Sequence, residues 1–339
     1  MTIYLISYLL LFIMAFIVRK SRWYVWLVCV FFSVLVGFRG LTVGADTLEY
    51  YQMYESIGYN GYSGYPELIY GYLCFYAYRW GLSFGWFQAI LLFVALLALS
   101  RHVIKYSPHH GQSMFFLYTL YLIFYTMNIY REMIACFLML SIYPLLLNRN
   151  KINVILYVLL TIMISGIHGS ALYFLGLLFI PYLKFSNLTI TISIVVSLLL
   201  GLILPYDLIE IVGSRYGSLQ YSDANASHNI FQALGLCFFW ILEFVLISIL
   251  TTPAFKKTIY YKILFLGVIV SDLLLKQGLG IRVFLYFNVM QVVTIPLAVQ
   301  EYSKNKSVNQ LSMMAVISIF FFVFLLINSA SVVPYEFNW

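Results

Sequence analysis

Apolar residues run along this chain in long blocks with short polar breaks between them. The blocks fall at about 2–18, 23–38, 84–100, 112–127, 130–147, 152–166, 169–183, 188–204, 231–250, 261–277, 281–299 and 310–329. Each is close to the roughly 20 residues an α-helix needs to cross the hydrocarbon of a bilayer. The pattern predicts an all-α, polytopic membrane protein of about twelve transmembrane helices, forming a single integral membrane domain over residues 1–339. Two longer polar interruptions, 39–83 and 205–230, read as extended loops on one side. Within the first of them, the stretch from Pro66 to Gly81 carries Glu67, Arg79 and several Tyr and Gly residues, so it reads as an interfacial or re-entrant helix and not as a thirteenth span. The first block has no basic residue before it and no small-residue cleavage site after it, so it is expected to stay as a helix.

Composition agrees with lipid as the solvent. Apolar residues make up 63% of the 339 positions and charged residues 9%, with a mean hydropathy of +0.94, values that exclude a soluble domain of this length. Aromatic residues reach 19%, more than interfacial belts alone require, which raises the expectation of rings lining a cavity or groove. Cys29, Cys74, Cys136 and Cys237 have neither metal-ligand nor redox spacing and read as small apolar residues within helices.

The net charge of +7 fixes orientation first. With twelve spans alternating from an outside amino terminus, 13 of the 19 basic residues fall on the inner face; the other six, Arg39, Arg79, Arg131, Arg215, Lys276 and Arg282, fall on the outer face. This is the direction expected for positive-inside insertion. Inner-face charge is mostly Lys, whereas five of the six outer residues are Arg, whose planar fork binds carboxylate or phosphate through two hydrogen bonds and stays charged when partly buried. No soluble basic domain exists, so nucleic acid is excluded as a partner.

Four constellations carry this outer chemistry. Gly37-Phe38-Arg39-Gly40 precedes Asp46, Tyr50 and Tyr51. Arg39 and Asp46 are spaced to pair across a glycine-rich turn, either ordering the loop or leaving a guanidinium for an anion and a carboxylate for a base. Arg131-Glu132 opens an apolar helix, where a charged pair at the membrane boundary is expensive and the helix dipole adds to an anion site. Gly166-Ile167-His168-Gly169-Ser170 forms a tight turn that places an imidazole at a similar depth, as a turn residue or as a proton acceptor. Arg215 lies in the second long loop, and Lys276 and Arg282 flank a short Gln-Gly-Leu-Gly turn. Asp-x-Asp, Walker, His-Glu-x-x-His and Gly-x-Ser-x-Gly motifs are all absent, so neither a metal nor a cofactor is expected.

Taken in order, the blocks FRGLTVGADTLEYY, YREMIACFLMLSIY, GIHGSALYFLGLLF, SRYGSLQY and RVFLYF resemble the EpsG family of exopolysaccharide proteins, which is similar to Wzy-type O-antigen and capsule polymerases. The resemblance implies a membrane glycosyltransferase that joins oligosaccharide repeat units carried on undecaprenyl pyrophosphate at the outer side of the bacterial cytoplasmic (inner) membrane. Such a donor carries its own leaving group, so no nucleotide or ATP motif is needed. On that reading Arg131, Arg215 and Arg282 hold pyrophosphate, and His168 or Asp46 deprotonates the attacking hydroxyl. Arg39, Glu67, Lys276, Tyr50 and Tyr51 line the substrate, with Tyr62 and Tyr65 as further rings for sugar. Membrane lipids and a chain-length regulator protein are the other expected partners. A flippase for lipid-linked oligosaccharide and a ligase that uses a different acceptor are the competing functions; charge gathered at one end of the helices suits a one-sided enzyme better than a transporter.

Overall fold

The computed structural model describes residues 1–62, 67–148, 150–204, 230–276 and 280–337, the side chains of 230–233 and 280–282 lying outside that set. The described residues form an all-helical bundle, with no strand beyond two isolated bridges, Arg39 with Phe337 and Thr251 with Ser303. Helices α1 (Thr2–Ile17), α2 (Arg22–Gly37), α3 (Thr47–Asn60), α4 (Leu68–Arg79) and α5 (Phe84–Tyr106) are followed by α6 (His110–Thr119), α7 (Leu122–Asn128), α8 (Tyr130–Ile142) and α9 (Pro144–Leu147). Then come α10 (Lys151–Ser165), a 3-10 helix (Gly169–Tyr182), α11 (Asn187–Ile203), α12 (Ile230–Leu250), α13 (Ile259–Leu273), α14 (Gly280–Asn288), α15 (Gln291–Glu301) and α16 (Lys306–Leu326).

Four segments are long and apolar enough to cross a bilayer: Phe84–Tyr106, Tyr130–Leu147, Val283–Glu301 and Lys306–Leu326. Six shorter apolar helices, Thr2–Ile17 and Arg22–Gly37 among them, accompany these. The chain is therefore a helical membrane protein, but several expected spans are broken. The block 112–127 divides at Tyr121, which adopts a left-handed conformation (φ 66°); its ring stacks on Phe124 at 4.5 Å, so burial of a large side chain holds the break. The block 130–147 is interrupted at Tyr143 because Pro144 cannot continue the preceding hydrogen-bond ladder. The block 281–299 parts into α14 and α15 at Val289–Met290, and 169–183 winds as a 3-10 helix.

Within the predicted outer loop 39–83, the short helix expected at 66–81 is α4, and the correction is α3, a helix over Thr47–Asn60 where loop was expected. Tyr50, Tyr54 and Ile57 share the buried side of α3, spaced i, i+4, i+7 as an amphipathic helix requires. α4 has 12 residues, about 18 Å of helix and too short to span the hydrocarbon.

Helix α6 is buried on every side, at the centre of the bundle. By contrast α1, from Leu5 onward, exposes only Leu, Ile and Phe, the surface expected against lipid. Close packing between helices relies on small residues. A Cβ on Gly201 of α11 would collide with the Asp272 carbonyl oxygen of α13. Gly201→Ala should therefore destabilise the protein by about 1–3 kcal/mol, seen as a lower thermal midpoint in detergent. Gly176→Ala, where nothing lies within 4 Å, should leave the midpoint unchanged.

Candidate active site

Two backbone contacts assemble the site. The carbonyl of Gly166, at the end of α10, accepts hydrogen bonds from the N–H groups of Ile69 (2.8 Å) and Tyr70 (3.1 Å), two of the donors that the first turn of α4 leaves without intrahelical partners. This contact sets the N-cap residue of α4, Glu67, beside the turn that bears His168. At the start of α8, Tyr130 is buried and its hydroxyl donates to the Gln88 carbonyl at 2.5 Å, which fixes the first turn carrying Arg131 and Glu132.

The side chains then connect in a line. Glu67 Oε2 accepts from Arg131 Nη1, and its Oε1 lies 2.5 Å from His168 Nδ1. On the other side of the ring, His168 Nε2 lies 3.7 Å from Glu132 Oε2. Ser170 Oγ donates to Glu132 Oε1 at 3.4 Å and lies 2.9 Å from the Tyr286 hydroxyl. Arg131 is also held from its faces, its guanidinium lying over the rings of Tyr50 (5.4 Å) and Tyr70 (5.6 Å), contacts worth about 0.5–2 kcal/mol each. The imidazole is 14% exposed, Arg131 22% and Glu132 only 2%, so the line runs from a partly open end into the protein.

A carboxylate on Nδ1 can only accept, so Nδ1 carries a proton and Nε2 is the nitrogen left to exchange one. Two carboxylates flank this ring.

The expected sites fare differently. His168, Arg131, Glu67 and Tyr50 come together. Arg39 does not join them, and its expected pairing with Asp46 does not form. It is 3% exposed and its donors are spent on protein oxygens: Nε on the Val43 carbonyl and Thr47 Oγ1, Nη1 on the Val36 carbonyl and Gln88 Oε1, and Nη2 on the Met127 carbonyl. Burial draws its pKa down to about 10, which leaves it charged at neutral pH. Arg39 thus clamps α2, α3, α5 and α7 together and is not available to a ligand. Asp46 begins α3, with its N–H donating to Asn128 Oδ1 at 3.1 Å. The Tyr51 ring packs edge-on against Phe84 at 5.6 Å. Lys276 Nζ donates to the Leu202 carbonyl, joining the ends of α13 and α11. Arg282 occupies the first turn of α14 with its side chain outside the described residues, where Arg215 and Tyr65 also lie.

Glu132 stood out in the sequence as half of the Arg131-Glu132 pair but had no assigned role, and Tyr70 and Gln88 were not singled out. Gln88 had a weak signal, the lone amide in the first turns of α5.

The sequence profile of the EpsG family matches residues 22–337, nearly the whole chain. The protein belongs to the EpsG family. Neither the curated proteins nor the solved structures yield a match. Membership points to a polysaccharide polymerase at the membrane, with glycosyl transfer as its general chemistry. The EpsG match covers every described residue of the Arg131–Glu67–His168–Glu132 line.

Replacing Arg39 strips four buried carbonyl-type oxygens and a hydroxyl of their donor. Arg39→Met should cost at least about 2–3 kcal/mol, and Arg39→Lys should also lower the thermal midpoint, because one ammonium cannot reach these acceptors from a planar fork. An unchanged midpoint with lost activity would return Arg39 to ligand binding.

Proposed function

We propose that this protein polymerises oligosaccharide repeat units carried on undecaprenyl pyrophosphate, at the outer face of the bacterial cytoplasmic membrane, by a single inverting displacement. The arrangement of about twelve crossings belongs to the same reading. Ten of the expected blocks coincide with the apolar segments just described, and the positive-inside distribution of Lys and Arg sets their direction. The observation that carries the chemistry is the 2.5 Å contact between Glu67 Oε1 and His168 Nδ1, with Nε2 on the far side of the ring, 3.7 Å from Glu132 Oε2.

In this mechanism a sugar hydroxyl of the incoming unit attacks the anomeric carbon of the growing chain. The new C–O bond forms as the bond to the pyrophosphate oxygen breaks, and the lipid pyrophosphate departs with that electron pair. The hydroxyl proton passes to His168 Nε2. Glu67 holds the ring in the required tautomer, and the carboxylates of Glu67 and Glu132 stabilise the imidazolium, the logic of a base oriented by a third group. Of the two candidate bases, His168 is favoured over Asp46 by this support. Arg131 is a positioning residue for Glu67 more than a pyrophosphate ligand, because its Nη1 already holds a carboxylate. The leaving pyrophosphate is assigned to Arg282, Arg215 and Lys276, where fixed positive charge offsets the charge developing on the departing oxygen. A chain-length regulator is the expected protein partner.

The test is glycan analysis in a strain that relies on this chain. His168→Ala, at normal protein level, should lower polymer formation by about 100-fold or more, the usual range for losing a general base, and single repeat units should accumulate. Glu67→Gln should lose roughly tenfold or more by releasing the tautomer. Wild-type chain lengths from His168→Ala would overturn the assignment, and single units transferred to a different acceptor would indicate a ligase.

A further inference from the structure

Helix α4 does more than carry Glu67. Its first turn is tied to the end of α10 through Gly166, and its last leads into α5, whose Gly85 packs against the Gly37 carbonyl oxygen at the end of α2. Both ends of α4 therefore sit at the same end of the bundle as His168, and the helix lies across that end. Its buried side is Tyr70, Gly71, Cys74 and Ala77.

The opposite side exposes Tyr72 (49%), Tyr76 (51%) and Trp80 (78%), spaced i, i+4, i+8. Their rings form a row, with centroids 6.4 Å apart for Tyr72–Tyr76 at 23° and 6.2 Å for Tyr76–Trp80 at 35°. Tyr62 extends the row, 4.9 Å from Tyr72 at 31°, and it fits there because Gly71 has no Cβ; a Cβ at that position would strike the Tyr62 ring. This surface differs from those expected against hydrocarbon. From Ile192 onward α11 exposes only aliphatic side chains, and α1 adds only Phe to these, whereas α4 and its C-cap present Tyr72, Tyr76, Arg79 and Trp80 beside Leu68 and Leu73.

We propose that Tyr62, Tyr72, Tyr76 and Trp80 form a platform that binds the neutral carbohydrate chain by ring stacking, beside the Glu67–His168 pair. Pyranose rings present C–H faces that pack on aromatic faces, while their hydroxyls reach the phenol oxygens and the indole N–H at the ring edges. The four side chains carry no charge, so the row suits sugar and not pyrophosphate. Tyr72 is five residues from Glu67 and Trp80 thirteen, so the platform runs from about 7 to about 20 Å from the reacting end, room for several sugar units. The inference rests on the polymerase reading above and adds a subsite to it.

The test compares a Tyr72→Leu/Tyr76→Leu/Trp80→Leu variant with wild type and with His168→Ala. Leucine preserves helix and apolar bulk, so a row that only anchors the protein in the membrane interface survives the change. The platform predicts that the triple variant still joins units but makes shorter chains. It also predicts roughly tenfold or weaker binding of a delipidated two-repeat oligosaccharide, each ring contact being worth a few-fold. Gly71→Ala, which displaces Tyr62, should shift chain length in the same direction. On the wild-type protein in nanodiscs, saturating the aromatic protons should transfer magnetisation to that oligosaccharide. Wild-type chain lengths from the triple variant, or no transfer to the oligosaccharide, would overturn the platform and leave the row as a membrane anchor. If a strain lacking the protein also makes long chains, the polymerase reading itself fails; if that strain and His168→Ala make none and the triple variant is normal, only the platform fails.

Discussion

Glu67 places one carboxylate between an arginine from α8 and a histidine from the turn after α10, and the remaining parts of the site are arranged around that sharing. An anion at this depth needs compensation, and it receives three kinds: the guanidinium of Arg131, the Nδ1 proton of His168, and the positive end of α4, whose N-cap residue it is. Each partner is itself supported. The rings of Tyr50 and Tyr70 hold Arg131, the Gly166 carbonyl ties α4 to the histidine turn, and Ser170 with Tyr286 secures Glu132 on the far side of the imidazole. Arg39 contributes from outside the site by clamping α3, which carries Tyr50, to α2, α5 and α7.

The charge arrangement sets Arg131, expected among the pyrophosphate-holding arginines, beside the carboxylate of the proton-accepting pair instead. A line that contains two carboxylates repels a pyrophosphate and welcomes a proton. It fits the acceptor side of a glycosyl transfer, where a hydroxyl must lose its proton. In the proposed mechanism the departing pyrophosphate is left to the basic residues outside this line, Lys276, Arg215 and Arg282. Division into a proton-accepting end and an anion-holding end also suits a reaction whose donor and acceptor both bring bulky lipids.

Much of the fold was legible because hydrophobic block length is a strong signal, and the blocks coincide with helices. The breaks were not legible. Periodicity does not show that Tyr121 will turn left-handed to bury its ring, or that α14 and α15 part at Val289–Met290. Helix α3 was read as loop because Glu49, Glu55 and Asn60 dilute its hydropathy, although Tyr50, Tyr54 and Ile57 carried the i, i+4, i+7 spacing. For the site, residue types were informative and pairings were not. Arg39 and Asp46 are seven positions apart and invite pairing, yet carbonyl oxygens and Thr47 take the guanidinium. The pairings that form join Glu67 to partners 64 and 101 positions away, a distance across which a single sequence gives no register.

The most direct measurement is nitrogen NMR of the His168 imidazole in the purified protein, assigned by the signal lost in His168→Ala. The contact with Glu67 predicts a neutral ring protonated on Nδ1, with Nε2 bare, and loss of that tautomer preference in Glu67→Gln. A neutral ring protonated on Nε2, with Nδ1 bare and indifferent to Glu67→Gln, would contradict it.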